Sequence, residues 1–298
     1  MKPNHAPLVL GFDPKAPICD ALAAALHLIA GSGGELHLVH AVDLPESVWS
    51  SMSTEWAARA RAEMLADAEQ RVEQAVARAF ATLGAPRPAG LQHEVDLGHP
   101  ARVLGAACER LGASMVVVGP HIKEHVLNLG SVPRALLAEG PPSVWVQRGV
   151  FREPKRILVP VDLSPLSLAA LARGRDLARR SGGSLHVLHC FRRPDFFPTP
   201  DPGGEAHYPT YVVDQTRDKD EAEFRELERS FDWSGVPHEL EFVEGEPIDE
   251  VLAREPQADL LVVGTHGRTG LARFLLGNVA ASVLARAKGA VLAVRPDA

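Results

Sequence analysis

At 298 residues the chain is long enough for two domains, each burying its own core, and a 46% hydrophobic content excludes a disordered protein. A net charge of −7 without any Lys/Arg block argues against a general nucleic-acid or anionic-membrane binder, and no apolar run reaches the roughly 18 residues that span a bilayer. Three cysteines with no CxxC spacing, and residues 1–7 without the apolar core of a signal peptide, read as a cytoplasmic protein whose thiols are reduced and buried.

In chain order, Leu8 to Phe12 is a short apolar run that reads as a buried strand and leads to Asp13. An Ala/Leu-rich helix is expected over 16–30, stopped by Gly31. A second strand follows at 36–42, then a long amphipathic helix at 55–83, onto which Trp49 and Trp56 are expected to pack. Gln92 to Asp96 is a third strand, Pro100 opens a further helix, and the wholly apolar stretch 114–118 is a fourth strand. A last helix and a fifth strand at 143–147 complete the set, and 151–155 read as a linker. The same order then recurs: strand 157–161 ending at Asp162, helix 167–180, strand 185–191, helix 215–231, strand 239–243, a helix after Pro247, strand 259–263, a final helix and strand 290–295. Between 192 and 210 lie five prolines and Gly203-Gly204, an irregular loop read first as a surface insertion and second as a lid.

The recurrence is a duplication. Ser32-Gly33-Gly34-Glu35-Leu36-His37-Leu38-Val39-His40 returns as Ser181-Gly182-Gly183-Ser184-Leu185-His186-Val187-Leu188-His189, with six of nine positions identical. Asp13 answers to Asp162, Gly98 to Gly245, Gly119 to Gly264 and Gly130 to Gly277. Strands alternating with helices imply parallel sheets covered on both faces. The expected fold class is therefore α/β: two tandem doubly wound, Rossmann-like domains of five strands each, at 1–149 and 154–298.

Ligands of such sheets sit beyond the carboxyl ends of the strands. The richest chemistry at such an end is Gly264-Thr265-His266-Gly267-Arg268-Thr269-Gly270, followed by Gly277-Asn278 at the start of the last helix. Glycine lets the backbone approach a phosphate, and free amides at a helix N-terminus attract anions.

This Gly-x2-Gly-x9-Gly spacing resembles the ATP-binding branch of the universal stress protein family. Asp at the end of each first strand, Leu-His-x-x-His in each second strand and the Gly-x-Pro strings 98–100 and 245–247 extend the resemblance over both halves. The resemblance implies an adenine nucleotide, ATP with or without Mg²⁺, across the strand ends of the second half. Pro160, Val161, Asp162 and Cys190 would stand on the adenosine side. Gly264, His266, Gly267, Arg268, Gly277, Asn278, Val279 and Ala280 would frame ribose and phosphates. The family usually has Ser or Thr at the position of Asn278 and often again at that of Ala280, so the phosphate grip is expected to be weaker here. The first half departs further. Ile122 replaces the second glycine, Pro120 removes a donor and Pro133 follows Gly130-Ser131, so this half is expected to be empty or to hold another ligand. The resemblance also implies pairing of the last strands, 144–146 with 291–294, in a pseudo-twofold arrangement, and is compatible with further homodimerisation.

Other signals are set aside. Histidines three apart on one strand face opposite sides, so His37/His40 and His186/His189 read as packed and hydrogen-bonded rather than metal-ligating. The Ser-Gly-Gly strings resemble the phosphate loop of ATP pyrophosphatases but lie between helix and strand, the wrong way round. There is no P-loop and no Gly-x-Ser-x-Gly elbow. The charges of 217–229 read as a solvated helix face. No general base or Mg²⁺-binding carboxylate pair stands out, so catalysis beyond slow ATP hydrolysis is not expected. Two alternatives stay open: a nucleotide-free scaffold, and a binder of an apolar, lipid-like ligand.

Overall fold

The computed structural model describes residues 6–30, 33–43, 54–119, 131–139, 143–193, 210–265 and 277–295. The first half contributes β1 (Leu8–Gly11), α1 (Cys19–Ile29), β2 (Leu36–Val42), α2 (Thr54–Leu83), β3 (Leu91–Leu97), α3 (Pro100–Leu111), β4 (Met115–Val118), α4 (Ser131–Glu139) and β5 (Ser143–Val146). The second contributes β6 (Arg156–Val161), α5 (Pro165–Ser181), β7 (Ser184–Phe191), α6 (Thr210–Ser230), β8 (His238–Glu244), α7 (Pro247–Arg254), β9 (Leu260–Gly264), α8 (Asn278–Arg286) and β10 (Ala290–Val294).

Ten strands form one sheet in the order β3-β2-β1-β4-β5-β10-β9-β6-β7-β8. Pairing is parallel within each half and antiparallel at the junction, where Val291 faces Val146, Leu292 faces Trp145 and Ala293 faces Val144. The expected last-strand pairing is thus made inside one molecule, and each half covers the edge strand of the other. Because the inner strands are covered on both faces, their side chains divide by parity into two cores. Leu10, Leu38, Trp145, Leu158's neighbour Ile157 and Leu292 lie with α1, α2, α5 and α6; Val9, Val39, Val116 and Val291 lie with α3, α4, α7 and α8.

Two helix starts differ from the sequence expectation by three residues or more. α1 begins at Cys19 rather than residue 16, because Pro17 disfavours a helical Ala16, whose amide instead closes a turn onto the Asp13 carbonyl at 3.0 Å. α6 begins at Thr210 rather than 215: its first turn is β-branched, but Val213 is buried and that burial outweighs propensity. Trp56 is 57% exposed, so the expected packing of this ring is not made. Trp49 and the loop at 194–209 lie outside the described residues.

The Ser-Gly-Gly string has a structural cause. Gly182 ends α5 at φ +61°, a left-handed cap, and the Gly183 amide returns to the Ala178 carbonyl at 2.8 Å. A Cβ on Gly183 would stand 2.5 Å from the Lys155 carbonyl, so no side chain fits there. Ser181 Oγ donates to the Pro154 carbonyl at 2.6 Å, tying helix end to linker.

Candidate functional site

Within the second half, the strand order places β6 between β9 and β7, and the chain direction of the crossovers reverses between β6 and β9. Ligand crevices of open α/β sheets form at such a point. Here the strand pairing also ends early. The β6–β9 ladder holds Ile157↔Leu260 and Leu158↔Leu261 and stops two residues short of Pro160, which has no N–H to give. In the first half the matching β1–β4 ladder continues to Gly11↔Val118.

Several of the residues picked out by sequence lie at the ends of β6, β7 and β9 and at the start of α8. Val161 is buried and Pro160 half-buried at the end of β6. Asp162 follows, its Oδ1 accepting from the Ser164 amide at 3.1 Å while its own amide donates to Ser167 Oγ at 3.3 Å. Leu163 takes φ +62° in this turn, and Ser164 then caps α5 by accepting from the Ser167 amide at 3.2 Å. Gly264 closes in from β9: a Cβ there would meet the Leu166 carbonyl oxygen at 3.0 Å. Only a bare backbone passes at this point.

Opposite, Gly277 is the N-cap of α8, and no side chain caps that helix. Its amide donates to the Thr265 carbonyl at 2.7 Å, fixing the helix start beside the end of β9. The first-turn amides of Asn278, Val279 and Ala280 have no intrahelical acceptor. Asn278 is exposed, whereas Ala280 is 2% exposed and packs in the core. His266, Gly267 and Arg268 lie outside the described residues.

Cys190 lies half-buried at the end of β7, its Sγ donating to the Gly245 carbonyl at 3.2 Å. Burial, with the Glu250 and Glu246 carboxylates nearby, pushes this thiol up to about 11, so it is a neutral hydrogen-bonding group. Cys108 is buried and Cys19 half-buried; all three thiols are free.

One feature escaped the sequence reading. His189 Nδ1 bonds the Val161 carbonyl at 2.8 Å and Nε2 bonds Asp220 Oδ2 at 2.8 Å. The ring packs against Phe224 and Phe242, at centroid distances of 5.3 and 5.5 Å. This histidine braces the end of β6 against α6. His186 Nε2 meets Glu241 at 2.7 Å. Both are packed and paired as expected, and among the described residues no His/Cys/Asp/Glu group is arranged to hold a metal ion.

The matching region of the first half is an open cavity of about 460 Å³ beyond the ends of β1 and β4. His40 repeats one contact of His189: its Nδ1 bonds the Phe12 carbonyl at 2.8 Å.

Two stretches, 7–148 and 153–295, each match the model of the Universal stress protein family. The chain belongs to that family, as a tandem member. A universal stress protein of Mycobacterium tuberculosis is 28% identical over 273 residues, covering 87% of each chain. A crystal structure of a functionally unknown Pseudomonas aeruginosa protein superposes with a TM-score of 0.64 at 19% identity, over 98% of this chain and 93% of that one. A universal stress protein from Archaeoglobus fulgidus gives 0.58 at 19% identity over 98% of both chains. The likeness to both solved structures extends over both halves and the junction between them. Among the described residues no helix is long and apolar enough to cross a membrane.

Proposed function

We propose that the second half binds ATP or a related adenine nucleotide in the crevice between β6 and β9. The chain would serve in the stress response by changing conformation or partner with the nucleotide bound. The observation that carries this reading is the early end of the β6–β9 ladder at Leu158↔Leu261, beside the bare backbone of Gly264, whose neighbour Thr265 anchors the uncapped start of α8. Asp162 and Cys190 suit the nucleoside, the carboxylate as an acceptor. The amides of Asn278, Val279 and Ala280 suit phosphate, and in the sequence His266, Gly267 and Arg268 lie between Gly264 and that helix. Mg²⁺ would ride on the phosphates. The part played by the protein is binding, with at most slow hydrolysis, in a cytoplasmic setting, and the two functional units are 1–149 and 154–298.

Thermal unfolding with and without ATP and Mg²⁺ tests the reading. ATP is expected to raise the melting temperature by mass action, and Gly267→Val to abolish the rise. The absence of any shift at millimolar ATP would favour a nucleotide-free scaffold or a binder of an apolar ligand.

A further inference from the structure

The two halves share a fold but not a pocket. In the second half His189 is closed in: Asp220 holds its Nε2, and Phe242, its partner in the β7–β8 register, covers one face. In the first half Val95 is the register partner of His40, and among the described residues no ring stacks on His40. The His40 Nδ1 is committed to the Phe12 carbonyl, so that nitrogen carries the proton. Burial, with Arg71 and Lys15 nearby, lowers the pKa of His40 against the pull of the Phe12 carbonyl and Asp13, which favours the neutral ring. Nε2 is then a lone-pair acceptor, it has no partner among the described residues, and the ring lines the cavity.

Three further observations define what fits. Pro133 is the third residue of α4 and is buried at the cavity wall, where Ala280 of α8 offers an amide. A proline there has no N–H and puts a ring where phosphate oxygens would approach. The side toward α3 and α4 is apolar, built from Leu104, Val118 and Val132. The charged lining residues are Lys15, Arg71 and Arg148 against Asp13 and Asp43. Arg71 is already paired with Asp67 at 2.8 Å, which leaves Lys15 and Arg148 balanced by Asp13 and Asp43, and the Arg148 donors are taken by the carbonyls of Leu284 and Ala287. A charged ligand thus gains little and loses hydration. The volume lies within the roughly 300–1,000 Å³ usual for small-molecule sites.

We propose that this cavity is a second binding site, for an uncharged and largely apolar small molecule whose single O–H or N–H is accepted by His40 Nε2. It is separate in place and chemistry from the nucleotide crevice, and stands whether or not that crevice binds ATP.

The probe is N-phenyl-1-naphthylamine, apolar and neutral with one N–H, titrated by fluorescence into the full chain. Its counterpart is 8-anilinonaphthalene-1-sulfonate, which has the same rings and one negative charge. The neutral probe is expected to bind one to one and at least about tenfold tighter than the sulfonate, a gap of about 1.4 kcal/mol. Val132→Trp and Leu104→Trp fill the cavity and are expected to abolish binding. His40→Gln is expected to weaken it about fivefold, one neutral hydrogen bond. Gly267→Val and added ATP leave it unchanged. Val132 is half-buried at the edge of α4, so its replacement keeps the fold if Leu104→Trp does not. No neutral-probe binding, equal binding of the sulfonate, binding that survives both tryptophans, or loss in Gly267→Val would each overturn the assignment.

Discussion

Arg148 and Ala287 stand 139 positions apart in sequence, yet the Arg148 Nη1 donates to the Ala287 carbonyl at 2.9 Å. The other guanidinium nitrogen donates to the Leu284 carbonyl, so one side chain from the first half closes the C-terminal end of α8 in the second. A helix C-terminus presents unpaired carbonyls and partial negative charge, and a forked cation answers both. Next to it Trp145, fully buried opposite Leu292, donates from Nε1 to Gln147 Oε1 at 3.0 Å. The seam is therefore a continuous piece of core with its polar groups satisfied.

Replacing Arg148 by Met keeps the stem and removes both donors. The cost is expected at about 2 kcal/mol, typical of charged hydrogen bonds and a partly buried helix-end cation. Arg148→Lys is expected to recover less than half, since an ammonium lacks the fork. Urea midpoints read both; a midpoint for Arg148→Met equal to that of the unaltered chain would remove Arg148 from the account of the junction.

The Ser-Gly-Gly strings were legible in sequence as junctions between helix and strand, and the reason for Gly182 and Gly183 came only from the geometry. Gly182→Ala places a Cβ at φ +61° and is expected to cost about 1–2 kcal/mol. Gly183→Ala is expected to cost more, because the Lys155 backbone 2.5 Å away must move. Calorimetric melting of the two variants sets the order, and the reverse order would contradict the contact.

Much of the fold could be read from the chain alone because its signals are local and occur twice. Apolar runs mark the strands, glycines the helix ends, and Val144-Trp145-Val146 against Val291 to Val294 the junction. Helix starts were less legible: Pro17 delays α1, and buried Val213 extends α6 backward. The brace from His189 to Asp220 joins residues 31 apart on different elements, so no motif carried it. His40 has Val95 as its register partner where His189 has Phe242, a difference visible only once the register is known.

The thiols offer a check on the second-half crevice. With Cys190 pushed up to about 11 and Cys108 to about 12, chiefly by burial, neither is a thiolate near neutrality. Alkylation by iodoacetamide, followed by mass spectrometry, is expected to be slow at both near pH ~8 and to accelerate at Cys190 first as pH rises toward about 11. Fast labelling of Cys190 near neutral pH would mean that its Sγ is not held against the Gly245 carbonyl.

Glu241 gives the acid side of the stability profile. It sits under Arg254, whose guanidinium reaches it at 2.5 and 2.6 Å, and beside His186 at 2.7 Å. The Arg254 hydrogen bonds hold its pKa below the ordinary value of 4.5, against the opposing effect of burial and with help from His186. A carboxyl depressed in the folded state binds its proton more readily when unfolded. Its contribution is therefore complete above the unfolded pKa and disappears as pH falls through the lower, folded one. Between about pH 5 and about pH 3 the unaltered chain is expected to lose more stability than Glu241→Gln, which has no proton to take up there. Urea unfolding of both across that window measures the difference. Parallel losses would show that the pair between β8 and α7 contributes nothing that depends on the charge of Glu241.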